Sequence, residues 1–378
     1  MQKIRYLIIG IIVITLLIIA VSYIITQRSD QLRQNQVSGT QDQILDKQDQ
    51  VPGTKEVATE LTTPWDLEFL PDGKMILTER SGHAFLFSDN VKKDLGFIKG
   101  TVQRGEGGLL GLAVDPDFTL NRRVYFYYTY LRGNELRNGV VRYVLNTEDQ
   151  LVDEVHLIDT IPAASNHNGG GLDFGPDGKL YITTGDASNA ALAQITNSLA
   201  GKILRINTDG SLPEDNPFGN AVWAYGLRNP QGLAWHATNG LLYTTEHGPS
   251  AMDEINIIER GKNYGWPAFQ CDRRTGGQEV ENVEPIACFS EFTLAPSGIS
   301  QLNNALFVGG LRGQQLRKLS LSADGRTVAD QEIIFSGYGR IRAVAERDGR
   351  IYFSTSNKDG RGVPANSDDK IIEYIPGN

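Results

Sequence analysis

Short apolar runs alternate with polar turns along most of the chain, and one such pattern occurs six times. In each copy an apolar strand leads into a turn, and a second apolar strand follows. The third copy has the strand 172–174, the turn Pro176-Asp177-Gly178 and the strand 180–182. Alternating apolar and polar residues around a tight turn predict a hairpin of antiparallel strands. The first strands of the six predicted hairpins are anchored at Leu67, Leu112, Leu172, Leu233, Ile299 and Val344.

The spacing of these anchors indicates how the hairpins are arranged. Successive anchors lie 45, 60, 61, 66 and 45 residues apart. The shortest spacing is typical of a four-stranded propeller blade, and the longer ones leave room for insertions. We therefore predict an all-β fold, a six-bladed β-propeller of four-stranded antiparallel blades, over residues 58–378. A β-sandwich is the alternative, but it does not require six similar hairpins.

The N-terminal segment follows a different pattern. Residues 6–25 carry no charge and consist mainly of Ile, Leu and Val. A helix of that length spans about 30 Å, the thickness of the hydrocarbon core of a bilayer. Lys3 and Arg5 precede it, so residues 1–5 are expected to stay in the cytoplasm. We favour a retained transmembrane signal-anchor helix over a cleaved signal peptide, because no small-x-small cleavage site follows the apolar run.

The segment after this helix is predicted to be a flexible stalk. Residues 26–57 contain eight glutamines and few large apolar residues, and such a composition cannot bury enough surface to fold. The propeller is then expected outside the cytoplasm, at the cell surface or in the periplasm. Cys271 and Cys288 are the only two cysteines, and outside the cytoplasm we expect them to form a disulfide. The net charge of −9 argues against nucleic acid as a partner, because nucleic acid requires a basic surface.

Polar residues concentrate at one edge of the predicted hairpins. The start of the first strand and the end of the second lie at the same edge, and in a propeller these edges surround one mouth of the central channel. Inter-blade salt bridges are the alternative explanation, and for Glu79, Arg80 and Asp186 we weigh it equally. The other polar residues at these positions are Glu106, His167, Arg228, Asn229, Glu246, His247, Arg312, Arg340, Arg342, Ser356 and Asn357.

The residue types at this mouth indicate its chemistry. Several arginines close together require anions, and guanidinium groups suit planar carboxylates. His167 precedes three glycines, which allow a ligand to approach closely, and a neutral imidazole acts as a general base near pH 7. His247 is a weaker candidate for that role. The segment from Gly248-Pro249 to Asp253-Glu254 offers only oxygen ligands, which favour Ca²⁺ over zinc.

At these residues the sequence resembles the soluble glucose/sorbosone dehydrogenase family, which includes the bacterial aldose sugar dehydrogenases. Members are six-bladed propellers that use pyrroloquinoline quinone (PQQ) and Ca²⁺. The resemblance begins near Glu60 and extends to the C-terminus. The segments that carry it are GEGGLLG at 105–111, YGLRNPQG at 225–232, EHGP at 246–249, DEIN at 253–256 and NYGWP at 263–267.

The resemblance implies a role for each matching residue. His167 corresponds to the general base, which takes the proton of the anomeric hydroxyl of the sugar. Arg228 corresponds to a residue beside the reacting carbonyl of the quinone. Three positions depart from the best-studied family pattern, because Glu106 stands where some members have Gln, Arg312 where many have Lys and Asn166 where some have Asp. The implied cofactor contacts are Glu106, Asn166, Arg228, Asn229, Arg312, Arg340 and Arg342, and the implied Ca²⁺ ligands are Gly248, Pro249, Asp253, Glu254 and Tyr264.

Three functions are compatible with these observations. The first is PQQ- and Ca²⁺-dependent oxidation of an aldose to its lactone at the outer face of a membrane, with an external electron acceptor. The second is a Ca²⁺-dependent sugar lactonase, although such an enzyme requires carboxylate and Asn ligands on the metal, whereas this mouth is rich in arginine. The third is a non-catalytic binding module on a stalk.

Overall fold

The computed structural model describes residues 53–88, 91–271, 273–274 and 282–377. The described residues belong to one compact unit, which begins at Gly53. The predicted cytoplasmic segment, the predicted membrane helix and most of the predicted stalk lie outside the described residues. Among the residues that are described, none belongs to a helix with the length and apolar character needed to cross a membrane.

Six four-stranded antiparallel sheets, named here blades 1 to 6, confirm the predicted propeller. In each blade the first strand packs against the first strands of neighbouring blades, and the other strands follow outward. Blade 1 comprises Pro64–Phe69, Met75–Glu79, His83–Ser88 and Val91–Phe97, and blade 2 comprises Leu109–Val114, Arg123–Arg132, Glu135–Leu145 and Leu151–Pro162. Blade 3 comprises Leu172–Phe174, Leu180–Thr184, Lys202–Ile206 and Val222–Tyr225, and blade 4 comprises Pro230–Trp235, Leu242–Glu246, Asp253–Ile258 and Ala287–Phe289. Blade 5 comprises Pro296–Leu302, Ala305–Gly310, Gln315–Leu321 and Val328–Ser336, and blade 6 comprises Ile341–Arg347, Arg350–Thr355, Ile371–Tyr374 and Thr54–Ala58.

Blade 6 closes the ring with a strand from the opposite end of the described chain. Thr54–Ala58 pairs antiparallel with Ile371–Tyr374, with Thr54 opposite Tyr374. Residues 54–57 were predicted to belong to the stalk, and this part of the prediction is wrong. The strand is short and carries two charges at its exposed edge, so it lacks the clear alternation of the hairpins. It packs through Val57 and Ala58 against the core between blades 6 and 1.

The six predicted anchors all lie in first strands, and each hairpin is paired as expected. Leu67 is opposite Leu77, Leu112 is opposite Phe126, and the remaining four anchors have second-strand partners in the same way. The apolar side chains form clusters between adjacent blades rather than one central core. The first strands instead surround a cavity of about 330 Å³.

The residue directly before the anchor is glycine in blades 2 to 5, and its lack of a side chain allows the first strands to approach closely. An added Cβ atom would meet the backbone of the next blade far inside van der Waals contact. The ring of first strands is therefore narrow because these positions carry no side chain. A Cβ added to the glycine would lie this far from the facing carbonyl oxygen: 2.1 Å for Gly111 and Gly170, 2.0 Å for Gly171 and Gln231, 2.4 Å for Gly232 and Ser297, and 2.5 Å for Gly298 and Arg342.

The longer anchor spacings correspond to insertions at or within blades. Blade 2 follows its first strand with a short helix, Phe118–Asn121. Blade 3 carries a 3₁₀ helix, Ala190–Gln194. In blade 4 the strands Phe269–Gln270 and Arg273–Arg274 form a small hairpin between the third and fourth strands. A disulfide joins Cys271 in this insertion to Cys288 in the fourth strand of blade 4, with Cα atoms 5.6 Å apart.

Candidate active site

A histidine–carboxylate pair lies on blade 3 at the predicted mouth. His167 is in the loop before the first strand, and Asp186 follows the second strand. The Nδ1 atom of His167 lies 2.8 Å from Oδ1 of Asp186, and the Asp186 side chain is 1% exposed. A carboxylate only accepts hydrogen bonds, so Nδ1 carries the proton and Nε2 presents its lone pair. The imidazole is thereby held in the tautomer that a general base requires.

The backbone of His167 is held as firmly as its ring. Its φ of 58° places it in the left-handed region, which is unfavourable for residues with a Cβ atom. Its N–H donates to Oε2 of Glu106 at 3.0 Å, and its carbonyl accepts from the N–H of Ala187 at 3.1 Å. A Cβ at Gly185 would lie 2.0 Å from the same carbonyl oxygen. The backbone at Gly185 therefore packs directly against the His167 loop, and this close contact requires glycine.

Asp186 is held in turn by residues on two blades. Its Oδ1 also accepts from the backbone N–H of Ser188 at 2.8 Å. Its Oδ2 accepts from Nε1 of Trp266 at 2.9 Å, and Trp266 belongs to the insertion in blade 4. The guanidinium of Arg228 lies 5.4 Å from the centre of the Trp266 ring. The NYGWP segment thus connects the histidine–carboxylate pair to the arginine.

Arg228 lies at the start of blade 4, and carbonyl groups are its hydrogen-bond acceptors. Its Nη1 donates to the carbonyls of His247 at 2.9 Å and Gly248 at 3.1 Å. Burial lowers the pKa of Arg228 in spite of nearby acidic groups. The neighbouring Asn229 is 1% exposed, and its Oδ1 accepts from the N–H of Gly169 at 3.0 Å. Asn229 therefore fixes the glycine loop that follows His167.

The two predicted arginines of blade 6 have different environments. Arg340 binds Asp359 through Nε at 2.8 Å and Nη2 at 2.7 Å, so it has a buried carboxylate partner. Arg342 instead donates through Nη1 to Oε1 of Gln231 at 2.8 Å, and it lies 5.3 Å from the ring centre of Trp65. Burial lowers the pKa of Arg342 to about 10, so it remains charged at neutral pH.

Three buried or half-buried guanidinium groups at this mouth have no carboxylate within salt-bridge distance among the described residues: those of Arg80, Arg228 and Arg342. The Nε atoms of Arg80 and Arg342 are buried and lack a hydrogen-bond partner in the described part of the chain. Unpaired buried polar groups are costly, and a surplus of guanidinium charge attracts anions. The site is therefore built to receive an anionic ligand.

Glu106 and His247 complete the inner part of the site. Glu106 accepts from Nη1 of Arg361 at 2.8 Å in addition to the backbone of His167. Burial alone would raise the pKa of Glu106, but these hydrogen bonds lower it below its usual value. Burial lowers the pKa of His247 to about 3, so its ring is neutral. Nε2 of His247 has no hydrogen-bond partner within the described ranges. His167, which Asp186 orients, is therefore the better candidate for the general base.

The side chains predicted as Ca²⁺ ligands have protein partners. Asp253 accepts from the N–H groups of Gly248 at 2.9 Å and Ala295 at 2.8 Å. Glu254 accepts from the N–H of Cys271 at 2.5 Å and from Asn256 at 3.1 Å. The hydroxyl of Tyr264 donates to the carbonyl of Ile257 at 2.6 Å. No group of three or more His, Cys, Asp or Glu in the described ranges is arranged to hold a metal ion.

The outer residues of the prediction are less engaged, and some contributors were not predicted as site residues. Arg312 and Asn166 are exposed. Asp186 was predicted at the mouth because it follows the second strand, with an inter-blade salt bridge weighed equally, but it was given no catalytic role. The residues that the structure adds to the predicted site are Trp65, Gln231, Trp266, Asp359 and Arg361.

Comparison with known proteins identifies the family. Residues 61–364 match the family described as glucose/sorbosone dehydrogenase. The aldose sugar dehydrogenase YliI of Escherichia coli strain K12 is 31% identical over 331 residues, which cover 79% of this chain and 89% of that protein. The quinoprotein glucose dehydrogenase B of Acinetobacter calcoaceticus is 34% identical over 283 residues, covering 65% of this chain and 58% of that protein. The solved PQQ-bound structure of an aldose sugar dehydrogenase from Streptomyces coelicolor has a TM-score of 0.79 and 36% identity, and covers 85% of this chain and 96% of that one. The chain therefore belongs to the glucose/sorbosone dehydrogenase family.

Proposed function

We propose that this protein is a quinoprotein aldose dehydrogenase that uses PQQ and Ca²⁺ to oxidise an aldose to its lactone. The observation that carries the proposal is the 2.8 Å contact between His167 and Asp186 beside three buried or half-buried guanidinium groups without carboxylate partners. Relatives named aldose sugar dehydrogenase and quinoprotein glucose dehydrogenase support the same activity.

The arginine set supports PQQ as the cofactor. A planar tricarboxylate matches guanidinium groups in charge and geometry, and it would satisfy groups such as the orphaned Nε of Arg342. Arg228 and Arg342 are proposed to hold it directly, with Arg80 contributing charge. Arg340 has Asp359 as its own partner, so we assign it to fixing the mouth. When bound, the quinone would be the acceptor of the hydride.

The Ca²⁺ part of the proposal rests on the carbonyls of Gly248 and Pro249. Hard cations prefer oxygen ligands such as backbone carbonyls. The Gly248 carbonyl accepts from Arg228 at 3.1 Å, so the metal and the guanidinium would share this part of the site. Asp253 accepts from the N–H of Gly248, and we assign it to the support of these carbonyls. Glu254 and Tyr264 bond instead to Cys271 and Ile257, and we assign them to the structure of blade 4.

The proposed roles of the side chains follow from the histidine geometry. Nε2 of His167 would accept the proton of the anomeric hydroxyl as the anomeric carbon loses its hydrogen with the electron pair. The carbon–oxygen bond then becomes the carbonyl of the lactone, so the sugar loses one hydride from carbon and one proton from the hydroxyl, and the two leave by separate routes. Asp186 would stabilise the imidazolium that results, and a general base of this kind contributes about 10²–10⁴-fold to the rate. Trp266 holds Asp186 in position throughout.

Reconstitution tests this function. Purified protein is titrated with PQQ in the presence and absence of Ca²⁺, and the reduction of an artificial electron acceptor is measured with a panel of aldoses. We expect activity only with PQQ, lactone as the product, and a loss of at least about 10²-fold in His167→Gln. Hydrolysis of sugar lactones without PQQ would instead support a lactonase. Binding of a sugar that is unaffected by His167→Gln, with no turnover, would support a non-catalytic module.

We also propose that residues 6–25 anchor the protein and that the propeller lies outside the cytoplasm. The uncharged length of this segment and Lys3 and Arg5 ahead of it support this topology. Protease treatment of intact cells or spheroplasts should remove the propeller while a cytoplasmic marker survives. Protection of the propeller in that experiment would contradict the proposed location.

A further inference from the structure

We infer that Glu106 is a positioning residue for His167, and that Arg361 holds Glu106 in place and cancels its charge. Glu106 lies in the loop before blade 2, and its carboxylate faces the His167 loop of blade 3. Its Oε2 accepts from the His167 N–H at 3.0 Å, and its Oε1 accepts from Nη1 of Arg361 at 2.8 Å. The kinetic consequence of this arrangement rests on the proposed function, whereas the structural consequence does not.

The two loops are joined through both backbone and side chain. The N–H of Glu106 donates to the carbonyl of Ser165 at 2.8 Å, while the Glu106 side chain accepts from His167. A Cβ at Gly105 would lie 2.2 Å from the Ser165 oxygen, so this approach requires glycine. Because His167 has a left-handed φ of 58°, its conformation depends on such contacts. The glutamate acceptor is therefore part of what fixes the imidazole relative to the mouth.

Arg361 reaches Glu106 from blade 6, and its backbone is anchored although its side chain is 58% exposed. Its N–H donates to Oδ1 of Asp359 at 2.8 Å, while Oδ2 of Asp359 binds Arg340. The carbonyl of Asp359 accepts from Arg80 at 3.1 Å. The segment that presents Arg361 is thus fixed by blades 6 and 1.

The charge of Glu106 matters because of the ligand that the site is proposed to bind. An ionised carboxylate repels a polycarboxylate, and the pKa of Glu106 is lowered, so it is ionised at neutral pH. The positive charge of Arg361 neutralises the negative charge of Glu106. The remaining guanidinium groups therefore provide the net positive charge of the site. The charged and titratable groups that act on Glu106 or feel its charge are Arg80, Arg228, His247, Arg342 and Arg361.

Two substitutions at Glu106 test the positioning role. Glu106→Gln keeps an acceptor for the His167 N–H, whereas Glu106→Leu has similar size and no acceptor. Amide exchange of His167, measured by NMR on cofactor-free protein, should be faster in Glu106→Leu and close to wild type in Glu106→Gln. With PQQ and an aldose, kcat should fall about 10²-fold in Glu106→Leu. The Kd for PQQ should stay the same or fall, because the substitution removes a negative charge from the site. Wild-type amide exchange and wild-type kcat in Glu106→Leu would overturn the positioning role.

A double-mutant cycle tests the charge compensation. Arg361→Gln leaves an uncompensated carboxylate, so the Kd for PQQ should rise about tenfold, equivalent to 1.4 kcal/mol. Lowering the pH until Glu106 is protonated should reverse this loss, and the double variant E106Q/R361Q should restore wild-type affinity at neutral pH. Equal weakening in Arg361→Gln and the double variant would overturn the compensation and make Arg361 a direct ligand contact. If wild type does not bind PQQ, the proposed function fails, while the amide-exchange result still decides the positioning role.

Discussion

Replacement of Asp186 by asparagine is the most informative single change at this site. The Asp186 carboxylate is 1% exposed and accepts three hydrogen bonds: from His167 and Ser188 at 2.8 Å and from Trp266 at 2.9 Å. Asparagine has the same shape but only one oxygen and a donating NH₂ group. At least one of the three donors must therefore face another donor.

The cost depends on which way the amide turns. If the oxygen keeps His167 and Ser188, the NH₂ group faces Trp266, and the half-buried indole N–H loses its acceptor at a cost of about 1–3 kcal/mol. If the oxygen keeps Trp266, the NH₂ group faces Nδ1 of His167. The imidazole must then carry its proton on Nε2, and it loses the lone pair that the proposed base requires. Neither orientation stabilises an imidazolium as the carboxylate does.

Steady-state kinetics and urea unfolding separate these effects. With PQQ, Ca²⁺ and an aldose, kcat of Asp186→Asn should fall about 10²–10⁴-fold, the range of general-base catalysis, and the free energy of unfolding should fall by about 1–3 kcal/mol. Trp266→Phe is the matched control, because it removes one hydrogen bond to Asp186 and leaves the His167 contact. Its kcat should fall much less. A kcat for Asp186→Asn within a few-fold of wild type would refute the role assigned to the pair.

Three further predictions concern stability. Burial raises the pKa of Asp66 and Asp173 from 3.8 to about 7, so between these values the folded state binds more protons than the unfolded state. The free energy of unfolding should therefore fall as pH rises from about 4 to 7, and Asp173→Asn should make the fall shallower in urea titrations. The disulfide between Cys271 and Cys288 closes a loop of 17 residues, so Cys288→Ser should cost about 3 kcal/mol of stability, and an unchanged unfolding midpoint would contradict this. Gly232→Ala places a Cβ 2.4 Å from a carbonyl oxygen of blade 5 and should lower stability by about 1–3 kcal/mol, measured by thermal unfolding.

The hairpins were predictable because their signal is local. Each first strand, turn and second strand lies within a short stretch, so alternation and turn residues identify it without knowledge of the rest of the chain. The closing strand Thr54–Ala58 carries no such signal, because its pairing partner Ile371–Tyr374 lies at the other end of the sequence. Ring closure is a property of the whole fold, and no local pattern encodes it.

The location of the site was predictable from strand edges, whereas the pairing of its charges was not. Arg340 and Arg342 are two residues apart and at equivalent edges by sequence, yet Arg340 binds Asp359 while Arg342 contacts Gln231 and Trp65. The difference arises from which loops of other blades lie beside each side chain. His167 and Asp186 are likewise 19 residues apart, and only the folding of blade 3 brings them to 2.8 Å.

Arg342 is the charged residue among the six positions that stand two residues before the anchors. Arg342 stands two residues before its anchor, and the equivalent positions in other blades include Trp65, Gly170 and Gln231, all uncharged. Trp65 and Gln231 both contact Arg342, and an added Cβ at Gly170 would lie 2.8 Å from the Leu110 side chain, too close for a side chain to fit. Deeper in the channel, burial raises the pKa of Asp66 and Asp173 to about 7, so these carboxyls carry only part of their charge at neutral pH and offset Arg342 incompletely. An anion at the mouth therefore meets the positive charge of Arg342. The equivalent positions of the other blades carry no charge, and the carboxyls of Asp66 and Asp173 cancel the charge of Arg342 only in part.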